Sequence, residues 1–180
     1  MPSNSENIIP RKSQVGDNTL ERSTTRIITR IIFVLCLVFL PFTLGKKRVK
    51  EWGLIFFATG YLASILAQLA VKAKKIKYPV RPFPRYFDGN VVYEYLVLPL
   101  FCVWFNQSTY HAKIWSIIGT AFLYSSAHTL IEYFVEKKTG AVRWKAWNWL
   151  FNTSSLASVL IVSRSVLSLW KWLSKRYDQP

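Results

Sequence analysis

Three side chains in this sequence could do chemistry inside an apolar environment: Glu94, His128 and Glu132. His128 and Glu132 are four residues apart, so an α-helix carries them on one face. Glu94 opens a separate apolar run. If the two runs are antiparallel, both glutamates lie near one boundary and His128 lies about one turn deeper. Such a carboxylate–imidazole–carboxylate group could relay a proton or bind a cation. It could also simply pair helices, because charge at membrane depth is costly unless matched. Structural pairing is the plainer reading, since both glutamates stand close to polar connectors. A His-x3-Glu pair without a third ligand is not a metal motif, and no metal or cofactor is expected.

A second set of residues is basic. Arg81 and Arg85 lie in the connector Lys77-Tyr78-Pro79-Val80-Arg81-Pro82-Phe83-Pro84-Arg85-Tyr86-Phe87-Asp88-Gly89-Asn90. Its three prolines exclude helix and favour a stiff, extended path, and Asp88-Gly89-Asn90 is turn chemistry. Lys137, Lys138, Arg143 and Lys145 form a matching group further on. These residues could bind anionic headgroups or a partner protein, or act on a lipid headgroup at the Arg81/Arg85 face. The plainer alternative is a rigid connector whose basic residues only obey topology. Enzyme signatures are missing: there is no GxSxG, no P-loop and no HExxH. The paired glutamates of CAAX-type proteases and the repeated aspartates of CDP-alcohol phosphotransferases are missing too. Five helices are few for a transporter, and no inverted repeat is visible.

These residues must be positioned by membrane-spanning helices. The chain has 180 residues, of which 51% are apolar, 16% aromatic and 18% charged, and its apolar residues fall in blocks separated by charge. A span needs about 20 apolar residues to cross a core about 30 Å thick. The blocks are Ile31 to Gly45, Trp52 to Val71, Val91 to Tyr110, Ile114 to Val135, and Ala146 to Ser163 with a continuation toward Trp170. Helices satisfy their own backbone in lipid, so each block reads as a helix. The first, at about 22 Å, is short unless Arg30 snorkels and Ile27 and Ile28 join it, and Pro41 should kink its end. It lacks a small-x-small cleavage site and is expected to be retained. In the second, Gly60, Ala63, Ser64 and Ala67 allow close helix packing. Glu136-Lys137-Lys138-Thr139-Gly140 reads as a helix stop.

The charge pattern orients these spans. The N-terminal tail, the second connector and the fourth carry five, six and four Lys/Arg, against four, one and three in the first connector, the third and the C-terminal part. The positive-inside rule then sets the N-terminus in the cytoplasm and the C-terminus outside. Arg164 falls at the outer end of the fifth span, where snorkelling suffices. The net charge of +15 thus reads as topology and attraction to anionic lipid rather than nucleic-acid binding. Trp52, Trp144, Trp147, Trp149, Trp170 and Trp172 read as interfacial anchors. Cys36 and Cys102 lie inside apolar blocks and read as small core residues.

A family resemblance adds to this. The order Arg81-Pro82-Phe83-Pro84, Tyr93-Glu94-Tyr95-Leu96-Val97-Leu98-Pro99-Leu100, Phe105-Asn106-Gln107, Thr129-Leu130-Ile131-Glu132 and Glu136-Lys137-Lys138-Thr139, then a Trp-rich basic start of the last helix, resembles one family. This is an uncharacterised family of small integral membrane proteins of spore-forming, Bacillus- and Clostridium-type Gram-positive bacteria. The resemblance covers roughly Trp52 to Leu169 and implies a multi-helix protein of the bacterial cell membrane, with no activity attached.

The sequence therefore predicts an all-α polytopic bundle of about five transmembrane helices. Residues 1–26 are expected to form a disordered cytoplasmic tail, 27–173 the transmembrane domain and 174–180 a short polar tail. The expected role is non-enzymatic: a structural or accessory component of the cell membrane whose basic loops contact anionic lipid or a protein partner, which includes a second copy of the chain. The alternative is a proton- or ion-coupled transport or channel subunit using Glu94, His128 and Glu132.

Overall fold

The computed structural model describes residues 12–45, 48–74, 76–77, 90–139, 143–144 and 149–177. They form five helices and one short ladder. The helices are α1 (Lys12–Leu44), α2 (Val49–Lys72), α3 (residues 91–108), α4 (Ile114–Thr139) and α5 (Trp149–Tyr177). Strands β1 (Ile76–Lys77) and β2 (Arg143–Trp144) pair antiparallel, joining the α2–α3 and α4–α5 connectors. Four helices carry stretches long and apolar enough to cross a membrane: Ser23–Leu44, Val49–Lys72, Ile114–Phe134 and Trp149–Tyr177. By the length and composition of these helices the chain is an all-α, multi-pass membrane protein. α3 is the shortest helix, at about 27 Å.

Several boundaries differ from those read in the sequence. Helix α1 begins at Lys12, so residues 12–26, expected to be disordered, are helical. Once the apolar stretch has nucleated a helix, each added residue gains a hydrogen bond at little further cost, and no proline interrupts this segment. The same extension carries α5 to Tyr177, four residues into the expected polar tail. α4 ends at Thr139, where the basic stop signal lies. Residues 1–11 lie outside the described residues.

Helix α3 opens with a π-helical turn over Tyr93–Val97 before becoming α-helical at Leu98–Ser108. The Leu98 amide reaches back to the Tyr93 carbonyl, five residues away. The cause stands one residue on. Pro99 has no N–H, and in a regular helix its ring would collide with the carbonyl four residues earlier. A widened turn ahead of it relieves that clash. Asn90 caps the start, its Oδ1 accepting the Tyr93 amide at 3.4 Å.

The core lies where α2, α3 and α5 meet, around Ile55, Cys102, Val103, Phe105, Leu160 and Leu167. Gly60, Ala63 and Ser64 line the α2 face turned toward α3. Tyr95 crosses that seam and shares a hydrogen bond with Ser64 at 2.9 Å. Trp52, expected at the headgroup level, is instead 7% exposed and packs edge-on against Tyr110 at 5.7 Å. Trp149, Trp170 and Trp172 are exposed. Helix α1 docks by a narrow stripe in which Cys36, Leu40 and Leu44 pack on the core. Its remaining faces expose Ile31, Val34, Leu35, Val38 and Phe42. An apolar surface this continuous suits hydrocarbon, not water.

Candidate functional site

The polar cluster forms chiefly between α4 and α5. His128 and Glu132 share the α4 face that their spacing predicts, with Nδ1 and Oε1 3.9 Å apart. That gap is too long for a hydrogen bond and short enough for electrostatic attraction. The His128 imidazole is held by rings, edge-on to Tyr93 at 5.6 Å and to Phe101 at 4.9 Å. Glu132 finds its firm partner on α5. The Asn152 amide donates to Glu132 Oε2 at 2.5 Å and to Thr129 Oγ1 at 3.2 Å. Thr153 Oγ1 meets Thr129 Oγ1 at 3.2 Å. One amide group thus spends both protons across the helix seam, and the hydroxyls close the network.

Glu94 is 3% exposed and sits in the π-helical turn of α3. It shares a level with His128, since its neighbour Tyr93 touches that imidazole. The neighbour on its other side, Tyr95, reaches α2. The carboxylate itself joins neither partner: its Oε1 is buried without a hydrogen bond, and His128 Nδ1 also lacks one. The structure therefore brings together His128 and Glu132, and leaves Glu94 as a separate buried acid. Among the described residues, the three-residue set thus divides into an α4–α5 clamp built on Glu132 and a buried Glu94 whose Oε1 has no hydrogen bond.

Asn152, Thr129 and Thr153 were not singled out as site residues by sequence reasoning. The available signal was an asparagine inside an apolar run, which needs a partner in lipid. A second buried amide follows the same rule: Asn106 on α3 donates to Ser163 Oγ on α5 at 2.8 Å and to the Cys102 carbonyl at 2.8 Å.

Of the predicted basic residues, Lys137, Lys138 and Arg143 fall at the end of the bundle where β1 and β2 pair. The register sets Ile76 against Trp144 and Lys77 against Arg143. Lys72 and Lys74, just ahead of β1, are exposed. Lys137 and Lys138 belong to the last turn of α4. Arg81, Arg85 and Lys145 lie outside the described residues, as do the three connector prolines.

The opposite end also gathers charge, at residues given no binding role in the sequence. Arg48 Cζ lies 3.9 Å from the Tyr110 ring centroid and Lys171 Nζ 3.2 Å from it. Arg164 Cζ is 5.9 Å away, and its Nη2 donates to the Tyr110 carbonyl at 3.0 Å. Glu51 Oε2 is the nearby acid, 3.9 Å from Arg48 Nη1.

No protein-family model, no curated protein and no solved structure matches this chain.

Proposed function

We propose that this chain is a non-enzymatic, accessory component of the cell membrane, N-terminus in the cytoplasm, whose joined basic connectors engage anionic lipid headgroups. The observation that carries this reading is the β1–β2 register, which makes Lys77 and Arg143 cross-strand partners. Like charges directly opposite each other weaken a ladder. An anionic surface offsets that repulsion, and a neutral one does not. The ladder also joins two Lys/Arg-rich connectors, which carry six and four such residues. A juxtamembrane basic residue contributes about 1 kcal/mol on an anionic leaflet. A homo-oligomer or a membrane protein partner with an acidic surface would use the same face. The cytoplasmic side rests on the Lys/Arg count, and the bacterial cell membrane rests on the family resemblance.

The test is retention of phosphatidylglycerol by protein purified from mixed vesicles, read by native mass spectrometry. Reversing both charges, Lys77→Glu with Arg143→Glu, should weaken retention roughly thirtyfold. Equal retention by the variant and the parent would remove the reading.

A second reading, a proton- or ion-coupled subunit, has one observation in its favour: the buried, unbonded Glu94 Oε1. An ionisable group at that depth marks function by default. In liposomes, the parent chain should then dissipate a pH gradient faster than empty vesicles, and Glu94→Gln should return the rate to that of empty vesicles. Decay at the empty-vesicle rate with the parent chain sinks this alternative.

A further inference from the structure

We infer that the Tyr110 cluster, at the end of the bundle away from the β ladder, is a binding site for a phosphate group. Arg48 leads into α2, Tyr110 follows α3, and Arg164 and Lys171 lie two turns apart on α5. All three cationic groups stand within 5.9 Å of one ring centroid. Glu51 is the acid beside Arg48, so among the described residues of the cluster three positive charges meet one negative charge.

Two details show that the cluster is not fully occupied with itself. Arg164 Nη1 is buried without a hydrogen-bond partner, although Nη2 on the same guanidinium is bonded. Glu51 Oε2 is likewise buried without a hydrogen bond, so its attraction to Arg48 across 3.9 Å is electrostatic only. The Tyr110 ring holds Arg48 and Lys171 by its π face, an interaction that leaves their N–H groups free to donate outward. Excess positive charge beside an unused buried guanidinium N–H is what a phosphate needs.

Depth is consistent with this. α5 is about 44 Å long, against about 30 Å of hydrocarbon, so its Lys171 end reaches the headgroup level. A phosphodiester of a lipid headgroup and a free phosphate offer the same oxygens.

The test uses the full chain in neutral detergent and in nanodiscs. Thermal unfolding is followed while inorganic phosphate is titrated, with chloride at matched ionic strength as control. A parallel arm compares phosphatidylcholine nanodiscs with and without phosphatidylglycerol. Saturable stabilisation by phosphate in detergent identifies a soluble phosphate ligand; stabilisation only by phosphatidylglycerol identifies a headgroup. In either arm, Lys171→Gln and Arg48→Gln should each raise the half-saturating concentration at least about tenfold. Lys171 lies near the end of α5, outside the buried core, so Lys171→Gln tests binding in a folded chain. The Lys77→Glu/Arg143→Glu variant should bind here like the parent, which separates this site from the basic ladder. Stabilisation by chloride to the same extent, unchanged half-saturation in both glutamine variants, or no stabilisation in either arm overturns the proposal.

Discussion

Replacing Gly60 by leucine should destabilise the bundle by about 1–3 kcal/mol, measured as unfolding free energy in mixed micelles titrated with denaturing detergent. A Cβ added at Gly60 would stand 3.4 Å from Pro99 Cγ, 3.7 Å from Tyr95 Cδ1 and 3.9 Å from the Glu94 carbonyl oxygen. A single methyl therefore meets ordinary contact, and Gly60→Ala should fall within about 0.5 kcal/mol of the parent. The further carbons of leucine have nowhere to go. Pro99 is a rigid, fully buried ring, and Tyr95 is pinned through its hydroxyl to Ser64. Both would have to move, and with them the π-helical turn that carries Glu94. If leucine and alanine behave alike, the α2–α3 spacing is not set at this position.

The second large effect is expected at Asn152. Asn152→Ala removes two donated bonds at once and strips Glu132 of its hydrogen-bonded partner on α5. Interhelical hydrogen bonds in membranes contribute about 0.6 kcal/mol on average and up to about 1.7. Two of them, plus a carboxylate left without its donor, give an expected loss of about 1–3 kcal/mol. Glu132→Ala should cost less, since Asn152 keeps Thr129. The double variant should cost less than the sum of the two, because one bond is shared. Additive losses would mean that the amide and the carboxylate do not act as a unit.

These residues also show what a sequence can and cannot disclose in lipid. The His128–Glu132 pairing was legible, because helical periodicity alone sets four residues apart on one face. The partner was not. In a membrane both the packed and the lipid-facing sides of a helix are apolar, so the pattern around Asn152 does not announce which neighbour it meets. For the same reason Trp52 read as an anchor and proved to be core. The π turn ahead of Pro99 was not read from the sequence, where Pro99 stood inside a run taken as one regular span. The Lys/Arg count required a first span although Ile31 to Gly45 looked short; the helix supplies the length by starting upstream. Arg48 is far in the chain from Arg164 and Lys171, and Tyr110 from all three, so only the fold brings them together.

The narrow docking stripe of α1 bears on how the molecule is assembled. The apolar stretch of α1, Ser23–Leu44, is tied to α3 by the bonds that Trp104 and Gln107 donate to Thr43 and otherwise turns a largely greasy contour outward, which suits it to lipid. That stretch, made ahead of α2–α5, therefore needs few companions while it waits. The later segments, with Asn106, Asn152 and Glu94 to shelter, need more. Assembly should begin with this rod and finish when the polar-bearing helices arrive and close beside it.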